Sequence, residues 1–545
     1  MKYIILISIF LITGCKKNTG REIPPSNGNV SYYLDSRNGL DSNDGLSPGT
    51  AWKTLARAGE ITYKKGDKLF LKRGSVFMGK LTIRATGTPD NPVIITAWPE
   101  NDTMLPSPVI DAKGYLAGIK ILNSNYLEIT NLEIVSDGGS PIGPTAAKER
   151  YGIIAQVTGD RQSKHIVLKK LYIHDIFASE QVSSDGQNPT SNMGMGICFD
   201  NEAGSFFNNI LIEQCRIERT GHTGIKIKGS GSNPDFYNRK IQILNNRLKE
   251  IGGPGMVPAR CVNILVQGNV VDHSGSTTDP RMHGRGSGIW PWTCDSVMID
   301  HNSFMYAHGK MDSHGAHIDF NCNDVVIQYN LSLENGGGFV EILGNNHNCT
   351  YRYNISINDG WRVKGVDGAK QNGEILFISN YTGKNNEKKG PYNNYIYNNT
   401  IYVKSDIDAH FFLANTTEGL LVANNIFYIL GKTYTSVRNW IHVPGVEPQN
   451  ICFMNNLYKY PGTLPADFPV QDSLPLYGDP GFANPGGLNP QDYIPSNTVL
   501  VKDKGIPVTK LPGDSIGLKV GLTVKKDFFG TVITGNPDLG AVEIK

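Results

Sequence analysis

The sequence predicts an all-β chain wound as a parallel β-helix solenoid, on three observations. An asparagine returns at Asn246, Asn269, Asn302, Asn330, Asn354, Asn399, Asn425 and Asn456, at intervals of 23, 33, 28, 24, 45, 26 and 31 residues. Each closes a short, largely β-branched or aromatic run such as Ile-Asp-His-Asn or Ile-Gln-Tyr-Asn, the pattern of strands rather than helices. Similar runs without the asparagine stand at 127–134, 166–173 and 210–217.

A period of this size marks stacked supersecondary units, with a basic coil near 23 residues and loops of variable length. Each coil packs on its neighbours, so a core can grow lengthwise through a 545-residue chain as one domain. Asparagine tolerates the left-handed conformation of a sharp turn, and stacked copies can hydrogen-bond to one another. The asparagines from Asn302 to Asn354 are therefore expected to form one continuous column. The 61 glycines fit a chain that turns every few residues. A formal net charge of +2, from 52 basic and 50 acidic residues, argues against an electrostatic nucleic-acid binder.

The N-terminus reads as an address. Met1-Lys2 precedes the apolar stretch 3–12, too short to span a bilayer and suited to a secretory signal. Leu11-Ile12-Thr13-Gly14-Cys15 resembles the bacterial lipobox, which implies lipidation at Cys15. Residues 1–15 are then the signal, 16–29 a polar tether and 30–545 a single domain. The expected location is the bacterial envelope, on the periplasmic face of the outer membrane or on the cell surface. Seven further cysteines leave at least one thiol unpaired, and buried thiols are expected, with Cys294 and Cys322 at equal offsets from their asparagines.

The opening segment contains Asp-Ser-Asn-Asp-Gly-Leu-Ser-Pro-Gly-Thr-Ala-Trp-Lys-Thr-Leu and Gly-Thr-Pro-Asp-Asn-Pro-Val-Ile-Ile. The end contains Gly478-Asp479-Pro480-Gly481-Phe482 and Asp538-Leu539-Gly540-Ala541-Val542-Glu543. Over about residues 30–545 this resembles secreted β-helix proteins of the pectate-lyase-like superfamily. The resemblance implies a right-handed parallel β-helix with an N-terminal cap, and an enzyme that cleaves or modifies polysaccharides. Function must still be argued from a site.

Seven of the 12 histidines lie between His273 and His347, as do Trp290 and Trp292. Aligning two coils by their asparagines, with a longer turn at 344–348 absorbing the difference, stacks Asp319 on Glu341. Adjacent parallel strands lie roughly 4.8 Å apart, so the two carboxyl groups would be neighbours with divergent pKa values. Glycoside hydrolysis needs such a divergence, with one carboxylate as nucleophile or base and the other as acid. His317 and Asp312 are expected to serve the pair. Trp290 and Trp292 alternate about Pro291 and can present a sugar-stacking face. His314, Arg260, Lys228, Asp200 and Arg285 are further candidates for binding substrate.

Strand parity puts His314 and His317 on opposite faces, so no metal is expected. The favoured function is a glycoside hydrolase acting on a plant or algal poly- or oligosaccharide. A polysaccharide lyase, with Lys228, Arg260 or His317 as base and a Ca²⁺ ion, is the alternative, and a non-catalytic glycan binder the third reading. A monomer is expected, with carbohydrate and, through the lipid, the membrane as partners.

Overall fold

The computed structural model describes residues 26–545 except 101, 103 and 185–187. The signal, Cys15 and most of the tether lie outside the described residues. Three parallel sheets run the length of the molecule. One contains 14 strands from Ser31–Leu34 to Gln449–Met454, and a second 14 strands from Val76–Met78 to Leu476–Tyr477. The third has seven strands from Thr62–Lys64 to Met256–Ala259 and four from Gly338–Ile342 to Thr433–Thr435. Between these blocks it is carried only by isolated bridges, Met256 to Ile289, Ala259 to Trp292, Ile289 to Ala316, His314 to Gly338 and Ile318 to Ile342.

Alternate side chains from the sheets fill the coil interior with isoleucine, leucine and valine: Ile212, Ile243, Val266, Ile299 and Ile327 stack in register. The fold is the parallel β-helix that the repeat predicts. At the N-terminal end the core includes Trp52, Leu55 and Ala58 around a single helical turn, Leu55–Ala58, capped by the Thr54 hydroxyl. At the other end, the chain beyond Tyr477 also runs back along the flank, where Leu511 and Leu518 pack on Tyr395 and Tyr397.

The asparagine column is continuous from Asn246 to Asn456. Each side-chain amide donates to the Oδ1 of the next asparagine at 2.9–3.0 Å. The same oxygen accepts the preceding asparagine's backbone N–H at 2.8–3.1 Å. Asp472 closes the column at Asn456, at 2.7 Å. The sequence leads one to expect the asparagines themselves in the left-handed turn, and they are not there. That conformation belongs to the residue before each: Asn245, Gly268, His301, Tyr329, Tyr353, Asn398, Asn424 and Asn455. The ladder asparagine points inward and satisfies the polar groups that the turn leaves buried. Earlier coils carry Leu132, Leu171 and Cys215 at this place, matching the asparagine-free runs.

Replacing Asn330 by alanine removes the Oδ1 that accepts from the Asn302 N–H and Nδ2, and leaves Asn354 Oδ1 with one of its two donors, the backbone N–H of residue 330. An unsatisfied buried group costs about 1–3 kcal/mol. Asn330→Ala should therefore lower unfolding stability by about 2–4 kcal/mol, read as a shift in urea midpoint at unchanged slope.

The cysteines after Cys15 are free thiols, and all but Cys452 are buried. Cys261, Cys294 and Cys322 stack at a second corner, where the Cys294 N–H donates to Cys322 Sγ at 3.4 Å.

A candidate active site where the third sheet is interrupted

The interruption falls where the histidines and tryptophans cluster. On the third face the chain passes twice, at 286–292 and 314–319, without forming a regular strand, and its backbone there is free to aim side chains unevenly. Ile289, Ala316 and Ile318 point inward; Trp290, Trp292, His317 and Asp319 alternate with them on the outer face. The Asp319 N–H donates to Pro291 O at 3.1 Å, and His317 N–H to Ile289 O at 3.0 Å.

The register differs from the expected one. Ile318 pairs with Ile342, and both stand 12 residues before their asparagines (330 − 318 and 354 − 342), so no longer turn shifts the coils. Glu341 thus neighbours His317, and Asp319 lies one step further along the same face. Among the described residues no hydrogen bond joins the two carboxyl groups.

His314 and His317 both reach Glu341, against the parity argument. His314 Nδ1 lies 2.7 Å from Glu341 Oε2, and His317 Nδ1 lies 3.5 Å from the same oxygen. Pleating fails here because Asp312 and Ser313 both adopt left-handed backbone, at φ 42° and 73°. Two such residues in succession are costly, and strain of this kind gathers at functional segments. A glycine makes room for it: a Cβ on Gly337 would stand 2.5 Å from Asp312 O and 2.7 Å from His314 N. Ser287 Oγ accepts the His314 N–H at 3.0 Å and lies 3.0 Å from His317 Nδ1. Arg362, buried, donates to Asp312 O at 2.5 Å and Ser313 Oγ at 2.9 Å.

The 2.7 Å approach is poorly aligned, so neither ring nitrogen of His314 nor Glu341 Oε2 has a formed hydrogen bond. The three side chains offer donor atoms within 4.8 Å of one another and by proximity could hold a metal ion. Arg362 already brings positive charge to Glu341, and Arg285 to Asp312.

The carboxyl groups divide sharply in protonation. Burial raises Asp319 well above the usual carboxylate range, with the charges of Glu341 and Asp312 adding to the effect. Burial also opposes ionisation of Glu341, but His314, His317 and Arg362 override it and hold the group down to about 2. Asp312 is likewise penalised by burial, yet Arg285 and His317 bring it below its ordinary value. Arg285 grips Asp312 with two nitrogens at 3.0 and 3.1 Å. Burial lowers the His317 pKa, although the charges of Glu341 and Asp312 act to raise it. Access separates the two ionised groups: the Asp312 side chain is 32% exposed and that of Glu341 only 8%. Asp319 is partly open to solvent at the surface of the same cluster.

The other candidates are placed at varying distances. Trp290 lies parallel to the His317 ring, centroids 5.9 Å apart, and Trp292 packs edge-on to Phe320 at 5.8 Å. Arg260 lies over Trp292, 4.4 Å from the ring centre. Lys228 and Asp200 share the column of Trp292 but sit two and three coils away, paired with each other at 3.1 Å. Sequence reasoning missed Ser287 and Arg362. Arg362 follows Trp361 in a loop without a repeat signal; the Gly336-Gly337-Gly338 run was the visible trace of the crowding around His314.

No family model matches the sequence. The chain is similar to lacto-N-biosidase of Bifidobacterium longum subsp. longum, at 24% identity over 614 aligned residues, covering 94% of this chain and 36% of that protein. The chain thus spans about a third of the length of the curated relative it matches. Among solved structures it resembles the GH136 lacto-N-biosidase from Eubacterium ramulus, with a TM-score of 0.52 and 21% identity over 83% of this chain and 68% of that one. The complex of XylC with xylose gives a TM-score of 0.51 at 12% identity, over 95% of this chain and 98% of that one. These likenesses establish the fold as a β-helix.

Proposed function

We propose that this chain is a glycoside hydrolase that cleaves an oligosaccharide at the interruption of the third sheet, with Asp319 as general acid and Asp312 as its ionised partner. One observation carries the reading: two carboxyl groups within electrostatic reach, both partly open to solvent, have pKa values pushed in opposite directions. A proton on Asp319 is available for the leaving oxygen, and the Asp312 charge faces the positive charge that develops on the sugar. Glu341, also held below its ordinary pKa but closed off, is a positioning residue that fixes the two histidines and, through them, the 312–319 segment. Trp290 and Trp292 flank the acid and supply an apolar face for a sugar ring. The similarity to lacto-N-biosidase supports a glycosidase and adds glycans containing lacto-N-biose to the plant and algal candidates.

The test is incubation with both groups of glycans, following reducing ends and the ultraviolet absorbance of unsaturated uronates together. Reducing ends without absorbance support hydrolysis. Absorbance rising in step would replace this reading with β-elimination and make His317, with Arg285 beside Asp312, the place to look. The reading includes an envelope location through a lipid on Cys15. Cys15→Ser is expected to move the protein from the membrane fraction to the soluble one, and unchanged membrane association would remove the anchor.

A further inference from the structure

The aromatic surface at the site continues well beyond the two tryptophans. Trp292 meets Phe320 at 5.8 Å, Phe320 meets Tyr381 at 5.9 Å, and Tyr381 meets Trp440 at 6.0 Å, each pair near-perpendicular. Four rings from separate coils and loops thus form one unbroken line, leading from beside Asp319 toward the C-terminal end of the solenoid. Trp440 ends it with 60% of its surface exposed. Single exposed apolar side chains are common at protein surfaces, so it is the contact of this ring with the line that marks it.

Its segment is firmly held. Arg438 forms a buried ion pair with Glu374 at 2.9 Å and lies over Phe377, 4.6 Å from the ring centre. Ile441 is buried, and its carbonyl accepts from Asn380 Nδ2 at 2.8 Å. Asn415 Nδ2 donates to Val443 O at 2.6 Å. An exposed tryptophan between anchors of this kind is presented, not merely tolerated. Cations sit over one face of two of these rings, Arg260 over Trp292 and Lys388 over Tyr381 at 4.9 Å, and bring hydrogen-bond donors there.

We infer that this line is an extended binding site for a chain of neutral sugars, with Trp440 stacking on a unit several residues from the bond that is cut. The inference rests on the hydrolase reading for the position of that bond, while binding itself does not depend on it. Pyranose rings resemble aromatic rings in size, and each ring-to-ring step matches the advance of about one sugar. The enzyme would therefore favour chains longer than a disaccharide.

The experiment uses the full chain carrying Asp319→Asn, so that ligands stay intact. Binding is measured by calorimetry with lacto-N-biose-terminated, xylo- and cello-oligosaccharides from disaccharide to hexasaccharide. Affinity should rise with length for one series, and adding Trp440→Ala should weaken the longest member about three- to ten-fold while leaving the disaccharide unchanged. Trp440→Phe should retain most of the gain. Affinity that is flat with length in every series, or a Trp440→Ala effect equal at all lengths or absent, overturns the inference. Length-dependent binding by a chain whose wild type hydrolyses nothing would count against the proposed reaction and leave this site standing.

Discussion

Asp319→Asn should lower kcat by about 10²–10⁴-fold, the usual contribution of a positioned general acid, with the fold intact. The amide keeps the shape of the carboxyl and can still accept the Phe320 N–H at 2.8 Å, but has no acidic proton to give. The loss should shrink on an aryl glycoside whose leaving group departs without protonation. A variant equally impaired on both substrates would show that Asp319 does not act as the acid. The pH profile follows from the same group. Wild-type activity needs Asp319 protonated and Asp312 ionised, so it should hold on the acid side and fall as pH rises through the elevated Asp319 pKa.

Stability shares that sign. A carboxyl group whose folded pKa is raised contributes fully below its unfolded pKa, near 4, and the contribution is lost as pH rises through the folded value. Asp319→Asn removes the ionisation that burial disfavours. The variant should therefore melt at a higher temperature than wild type above that pH, and the two should converge in acid. An inactive protein that is more stable than its parent is what a residue kept for chemistry leaves behind.

The fold was legible because a solenoid writes its geometry into the sequence many times over. Asn302, Asn330 and Asn354 satisfy the same buried groups on successive coils, so their spacing fixes the register of everything between them. The site was legible in composition but not in register. Asp319, Glu341, His317 and His314 do gather on one outer face, yet an assumed insertion at 344–348 displaced the carboxyls by two residues. Parity misled for His314 because it presumes pleated backbone, and left-handed Asp312 and Ser313 break the pleat just before it. Arg362 reaches the cluster from a loop that no periodicity places. These departures coincide with the interruption of the third sheet, where local rules give way to the arrangement of charge.

Asp312→Gly tests which ionised carboxylate meets the sugar. Glycine suits the left-handed backbone at φ 42°, so the substitution relieves strain there while removing the charge and the bidentate partner of Arg285. Loss of an electrostatic stabiliser alone predicts about a 10²–10³-fold fall in kcat, and loss of a nucleophile a larger one. Azide should enter the space left at this partly open position and restore turnover. A glycosyl azide of inverted anomeric configuration would identify Asp312 as the nucleophile of a retaining reaction. Glu341→Gly should also lose activity, because His314 and His317 lose the charge that orients them, but the enclosed position leaves azide no route to the sugar. Rescue of Asp312→Gly without rescue of Glu341→Gly assigns the chemistry to the exposed aspartate and the positioning to the buried glutamate. The reverse pattern would return Glu341 to the reacting pair and require the cluster around it to open when substrate binds.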